Sequence, residues 1–165
     1  MKSLVVYYSY DGECEEIAKS ISEGISSDLL KIVPKNEKKK EGFMKYLWCG
    51  VQSFIIKKPE LVDYEFDLAK YDNIFIGSPV WFGSYAPAIN TFLSENRIER
   101  KNIFLFICSK DGKGDTYKDF EEALCDNKIL DKAEFVFPLK NGMEEAKKKA
   151  KDWAILCLEE LKYKA

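Results

Sequence analysis

The chain has 165 residues, a length typical of one folded domain that buries about 70% of the surface its unfolded form exposes. Hydrophobic residues make up 46% and charged residues 33%, which excludes a disordered chain and indicates a globular protein. The formal net charge is -2, so the chain lacks the basic excess that attracts nucleic acid. We therefore predict a single domain over residues 1–165 that does not bind nucleic acid.

Histidine is absent, and the five cysteines include no C-x-x-C pair. These observations exclude the common zinc sets and every catalytic triad that uses imidazole as its base. The first apolar run is too short for a signal peptide, and no apolar stretch approaches about 18 residues. We predict a cytoplasmic protein without a membrane partner and without a metal site.

Short β-branched and aromatic runs alternate with stretches of helical periodicity along the chain. The first run, residues 3–9, is apolar on both faces, as expected of a central parallel strand. After it, Ile17, Ala18 and Ile21 recur at helical spacing. The same criteria predict strands at residues 29–33, 73–79, 103–109 and 134–137, and helices at residues 43–57, around 88–93, around 120–124 and at 143–161. This order predicts an α/β fold, a five-stranded parallel sheet with helices on both faces.

Ligand sites in such sheets lie beyond the carboxyl ends of the strands, where the strand order reverses. Residues 9–14, 78–85 and 109–115 follow the first, third and fourth predicted strands. We expect these three loops to converge on one crevice. The second loop is rich in aromatic residues and the third is rich in glycine.

The loop at residues 77–93, GSPVWFGSYAPAINTFL, is the most specific feature of the sequence. It resembles the flavodoxin superfamily, particularly a bacterial branch with a G-x-P-V-W loop. The segments EGFMKYLWCG, KYDNIFIG and CSKDGKGD extend the resemblance over most of the chain. It implies a doubly wound sheet of order 2-1-3-4-5 with FMN as the cofactor; flavodoxin is itself an instance of the strand-end rule.

The same resemblance implies which residues hold the flavin. Trp81 is expected to stack on the ring or meet its edge, and the neighbouring residues of that loop are expected to border the isoalloxazine. The glycine-rich loop is expected to flank the pyrimidine side. The residues so implied are Pro79, Val80, Trp81, Phe82 and Gly83 in the first loop, and Ser109, Lys110, Asp111, Gly112 and Gly114 in the second. Two plainer interpretations stay open, namely that the aromatic residues cover the sheet end or a dimer interface, and that the glycine-rich loop is an ordinary turn.

The loop after the first strand departs from the family. Flavodoxins commonly have S-x-T-G-N-T there to bind the FMN phosphate with amides and hydroxyls. Ser9 and Gly12 match this pattern, whereas Asp11, Glu13 and Cys14 do not. A carboxylate about 4 Å from a phosphate costs roughly 4 kcal/mol at an effective dielectric constant near 20. Either both acidic side chains turn to solvent and the backbone still binds phosphate with reduced affinity, or the site has lost FMN. We favour retained binding, because the loops expected to hold the ring match the family.

The resemblance implies electron transfer through bound FMN to a redox partner protein or a small-molecule electron acceptor. Asp111 and Asp115 near the ring would lower its reduction potential, while Lys110 and Lys113 would raise it. One alternative is an NAD(P)H-dependent FMN or quinone reductase of the same fold. Another is a flavin-free binding domain. The oligomeric state stays open.

Overall fold

The computed structural model describes residues 1–37 and 58–164. The strands are β1 (Ser3–Tyr7), β2 (Asp28–Lys31), β3 (Asn73–Trp81), β4 (Ser84–Tyr85), β5 (Asn102–Ser109) and β6 (Lys128–Val136). The helices are α1 (Glu13–Ile25), α2 (Pro87–Glu95), α3 (Thr116–Ala123), α4 (Pro138–Asn141) and α5 (Met143–Lys164), with a short 3-10 turn at Leu68–Lys70. The helix predicted at residues 43–57 lies outside the described residues.

The main sheet has the order β2-β1-β3-β5-β6, and all of its strand pairs are parallel. The predicted order 2-1-3-4-5 is therefore confirmed, with β5 and β6 as the fourth and fifth predicted strands. Strand β4 was not predicted; it pairs antiparallel with the end of β3 and forms a hairpin. The strand order reverses between β1 and β3, which fixes the end of the sheet where a ligand is expected.

The predicted limits of the last strand are wrong. The sequence predicted residues 134–137, whereas β6 begins six residues earlier, at Lys128. This strand forms an edge of the sheet, and most of its side chains are exposed or half-buried. A charged, solvated edge does not show the apolar run that identifies a buried strand. A bulge at Leu130 of β6, opposite the step from Ile103 to Phe104 of β5, also shifts the register of this pair by one residue.

Alternate side chains of each central strand enter separate apolar layers on the two faces of the sheet. Val5 of β1 packs in one layer with Ile17 and Ile21 of α1 and with Ala150 and Ala154 of α5. The other layer contains side chains of the same strands together with α2 and α3; its members include Leu4, Val6, Ile89, Phe92 and Phe120. Helices on both faces, as predicted, are thus observed, and within the described part of the chain none of them has the length and apolarity needed to cross a membrane.

Candidate functional site

Three loops enclose a crevice of about 320 Å³ at the carboxyl ends of β1, β3 and β5. This volume is at the lower end of the range of about 300–1,000 Å³ that small-molecule sites occupy. The described residues that line it are Tyr10, Asp11 and Glu13 after β1, Pro79, Val80, Trp81, Phe82 and Gly83 around the end of β3, and Cys108, Lys110, Asp111, Gly112 and Gly114 from the end of β5. The three loops therefore converge as the strand order requires.

The crevice brings together most of the residues that the sequence pointed to. Four of those residues do not line it: Ser9, Gly12, Cys14 and Ser109. Ser109 is fully buried and donates a hydrogen bond of 2.5 Å to Glu134 Oε1. Sequence reasoning missed Tyr10 and Cys108. Each of them is next to a residue that the sequence did predict, Asp11 for Tyr10 and Ser109 for Cys108. Their position at or just after the end of a strand could therefore have identified them.

A two-residue turn at Phe82 and Gly83 shapes one wall of the crevice. Trp81 pairs with Ser84 across this turn, and both turn residues have positive φ, 51° and 79°. Such backbone geometry suits a tight hairpin, and glycine adopts it without strain whereas phenylalanine does not. The Phe82 side chain is nevertheless held at the mouth of the crevice, where the residue is 61% exposed. An aromatic side chain thus occupies a strained position next to the candidate site.

The Trp81 ring is held edge-to-face by two tyrosines. Its centroid lies 5.6 Å from that of Tyr8 and 5.8 Å from that of Tyr10, with interplanar angles of 87° and 75°. Tyr8 is buried and its hydroxyl donates a hydrogen bond to Glu37. Edge-to-face contacts of this kind favour one ring orientation. The indole therefore contributes to the crevice as a fixed wall, while the Phe82 ring stands further into solvent.

The loop after β5 is fastened to the hairpin through backbone groups. The Asp115 amide donates a hydrogen bond of 2.8 Å to the Gly83 carbonyl oxygen. Gly112 and Gly114, which line the crevice, both have positive φ. Because this backbone conformation favours glycine, the local fold by itself accounts for the glycine-rich sequence.

Helix α1 starts at the crevice. Gly12 precedes its first residue with φ 96°, and the Gly12 amide donates a hydrogen bond of 3.1 Å to Ser9 Oγ. The amide groups of a first helical turn carry a partial positive charge that favours anions. Here the first turn also carries Glu13, Glu15 and Glu16, whose negative charges offset that effect.

Asp11 and Glu13 do not both turn to solvent, as one of the two alternatives for this loop required; each has a partner within the protein. Asp11 Oδ2 lies 3.0 Å from Lys110 Nζ, and the two side chains are only 20% and 27% exposed. Glu13 is 2% exposed, and its Oε1 accepts a hydrogen bond of 3.3 Å from the Leu139 amide at the start of α4. Each carboxylate therefore has a partner that compensates for its loss of water. Neither partner can be identified from the sequence of this loop alone, because both partners lie about 100 residues or more further along the chain.

Cys14 lies behind the crevice rather than in it. The residue is 1% exposed, and burial, with a further contribution from the neighbouring Cys108 thiol, raises its pKa well above the ordinary value. The helix N-terminus does not make it a reactive thiolate, since burial prevails.

The fold is a doubly wound α/β fold with a crevice at the strand switch point. A family model described as flavodoxin matches residues 2–153. The chain therefore belongs to the flavodoxin family, as the sequence resemblance indicated.

Solved structures give the same result. The chain is similar to a flavoprotein from Lactobacillus acidophilus NCFM, solved in complex with FMN, at 26% identity and TM-score 0.69 over 84% of this chain and 96% of that one. It is also similar to a protein from Bacteroides uniformis ATCC 8492, at 24% identity and TM-score 0.75 over 91% and 97% of the two chains. Flavodoxin 2 from Bacillus cereus matches at 20% identity and TM-score 0.63 over 97% and 99%. The last two likenesses, under 25% identity, concern the fold.

Proposed function

We propose that this protein binds FMN in the crevice and carries electrons through it in the cytoplasm. The observation that carries the proposal is the meeting of an aromatic wall and a glycine-rich backbone edge at the strand switch point. A flat cofactor needs an apolar face for its ring and polar backbone groups for its edge. Membership of the flavodoxin family and the FMN complex of the Lactobacillus acidophilus relative support the same conclusion.

The residues of the crevice fit the cofactor. Trp81 and Phe82 offer aromatic surface, and Val80 and Pro79 add apolar contact beside them. On the opposite side, a Cβ at Gly112 would meet no atom within 4 Å, so the backbone there borders open space that a ligand edge can enter. An isoalloxazine ring would therefore be held between the hairpin and the loop after β5.

When bound, FMN supplies the redox chemistry by accepting and releasing one or two electrons. The protein residues exclude water from one face of the ring and fix its orientation. Asp111, in the lining, places a negative charge beside it and so raises the energy of its anionic forms. We assign this side chain an electrostatic role and no covalent one. The electrons would pass to a redox partner protein or to a small-molecule acceptor.

Titration of the apoprotein with FMN tests the proposal, with quenching of flavin fluorescence as the signal. Saturable one-to-one binding, followed by reversible reduction and reoxidation of the complex, is the expected result. A chain that leaves flavin fluorescence unchanged at any concentration would overturn the proposal and support a flavin-free binding domain. Rapid oxidation of NAD(P)H by the complex with an added quinone would instead identify a reductase of the same fold.

A further inference from the structure

The ion pair between Asp11 and Lys110 crosses the crevice. Asp11 belongs to the loop after β1 and Lys110 to the loop after β5, and β3 lies between these two strands in the sheet. Neighbouring strands are about 4.8 Å apart, so the two loops start roughly 10 Å from each other. The Lys110 side chain bridges this gap, and its Nζ lies 3.0 Å from Asp11 Oδ2.

Lys110 is the single cationic side chain among the described residues that line the crevice, against the three carboxylates of Asp11, Glu13 and Asp111. Its ammonium group also lies 4.9 Å from the centroid of the Phe137 ring. A cation over an aromatic face and beside a carboxylate is held in one place by both contacts. The charge that an anionic ligand would meet is therefore localised at the Asp11 end of the crevice.

We propose that Lys110 determines the preference of this crevice for a phosphorylated over a dephosphorylated flavin, and that Asp11 opposes that preference. The inference rests on the proposed function and concerns the end of the ligand remote from the redox ring. A phosphate carries about two negative charges near neutral pH, so it competes with the single charge of Asp11 for the ammonium group. Riboflavin has no such charge and leaves the ion pair as it is.

The two residues should therefore have opposite effects when each is altered. In Asp11→Asn the carboxylate that repels phosphate is gone while the Lys110 ammonium group is retained. In Lys110→Met the cation that attracts phosphate is gone while the Asp11 carboxylate stays in the crevice lining. FMN binding should strengthen in the first variant and weaken in the second, and riboflavin binding should change little in either.

The experiment compares the dissociation constants of FMN and riboflavin for the full chain and each variant by fluorescence quenching. We expect the ratio of the riboflavin constant to the FMN constant to rise about tenfold in Asp11→Asn and to fall at least about tenfold in Lys110→Met, the size of one charge-assisted hydrogen bond. Lys113→Met is the matched control, since Lys113 lies in the same loop outside the crevice lining and beside the Tyr117 ring. Its ratio should stay within about twofold of the native value.

Equal shifts in Lys110→Met and Lys113→Met would mean that only overall charge counts and would overturn the inference, as would a ratio unchanged in both Asp11→Asn and Lys110→Met. Such results, with flavin still bound, leave the proposed function standing. If the native chain binds neither flavin, the proposed function and this inference both fail. Lys110→Gln, with circular dichroism as a check on folding, replaces Lys110→Met if that variant does not fold.

Discussion

A Cβ atom placed on Gly114 would lie 2.6 Å from the carbonyl oxygen of Gly83. The hairpin after β3 and the loop after β5 therefore touch backbone to backbone, without a side chain between them. Two opposed walls of the crevice are set at their spacing by this contact. A methyl group here would force them apart and change the width available to a ligand.

We expect Gly114→Ala to lower both the stability of the protein and its affinity for flavin. Two effects destabilise the variant, namely the left-handed φ of 51° and the overlap of the new methyl group with Gly83. Together they should lower the free energy of unfolding by about 2–5 kcal/mol. Urea denaturation and flavin titration measure the two effects. Gly142→Ala is the control, because Gly142 also has positive φ but would meet no atom within 4 Å and lies outside the lining. Gly142→Ala should lose stability and retain its affinity for flavin. An equal loss of affinity in Gly114→Ala and Gly142→Ala would show that the contact between Gly114 and Gly83 does not set the width of the crevice.

Phe82→Asn should stabilise the protein while weakening flavin binding. Asparagine tolerates positive φ better than phenylalanine, and Asn-Gly is the preferred pair for a two-residue hairpin turn. Relief of this strain should raise the free energy of unfolding by about 1 kcal/mol. Loss of the ring should raise the dissociation constant of FMN about threefold to tenfold, the worth of an aromatic contact. An unchanged dissociation constant would show that the Phe82 ring is not part of the flavin site.

Asp111→Asn should raise the reduction midpoint potential of the bound flavin. A carboxylate in the crevice lining disfavours negative charge on the reduced cofactor, so its removal favours reduction. For an exposed group we expect about 0.5–1 kcal/mol, or about 20–40 mV for one electron. Spectroscopic redox titration measures the shift. Asp126→Asn, which removes an equal charge far from the crevice, should leave the potential unchanged, and a fall in potential for Asp111→Asn would contradict the assigned role.

Cys157 should make the stability of the protein fall in alkaline solution. Burial, and then the carboxylate of Asp131 at 3.6 Å from the thiol, raises the pKa of Cys157 to about 12. The unfolded thiol ionises near pH 8.5 while the folded one stays protonated, so the stabilisation is complete below that pH and is lost as pH rises towards the folded value. Urea denaturation between about pH 8 and pH 10 should show a shallower decline in Cys157→Ala than in the native chain. Exposed Cys125 provides the control, and Cys125→Ala should decline as the native chain does.

The sequence pattern predicts the central strands well and the strands β4 and β6 poorly, while the strand order was implied by the family resemblance. The central strands carry apolar residues on both faces, as at Phe104 and Leu105, so they can be recognised without their neighbours. The exposed residues of β6 and the two residues of β4 give no comparable signal, because their pairing is set by adjacent strands. The pattern of apolar residues therefore identifies a strand only where both faces of that strand are buried.

The convergence of the three loops on one crevice was predicted, and the charge pairing within that crevice was not. The loops that hold it follow directly from the strand ends, whereas the Asp11–Lys110 pair joins residues 99 positions apart. Likewise, the burial of Glu13 depends on the Leu139 amide from the other end of the chain. The sequence of the loop therefore suggests that its carboxylates repel a phosphate, and it does not show the partners that the tertiary fold brings next to those carboxylates.

The packing of α1 against α5 has a consequence for biosynthesis. The apolar side of α1, including Ile17 and Ile21, packs against the sheet, and Ala150 and Ala154 of the last helix complete its cover. Because α1 ends at Ile25 and α5 begins at Met143, the ribosome must make nearly the whole domain before that surface can be covered. Until then the nascent chain presents an exposed apolar helix, a target for chaperones and a starting point for aggregation. A ribosome-stalled chain that ends before α5 should therefore stay open to protease throughout its first helix.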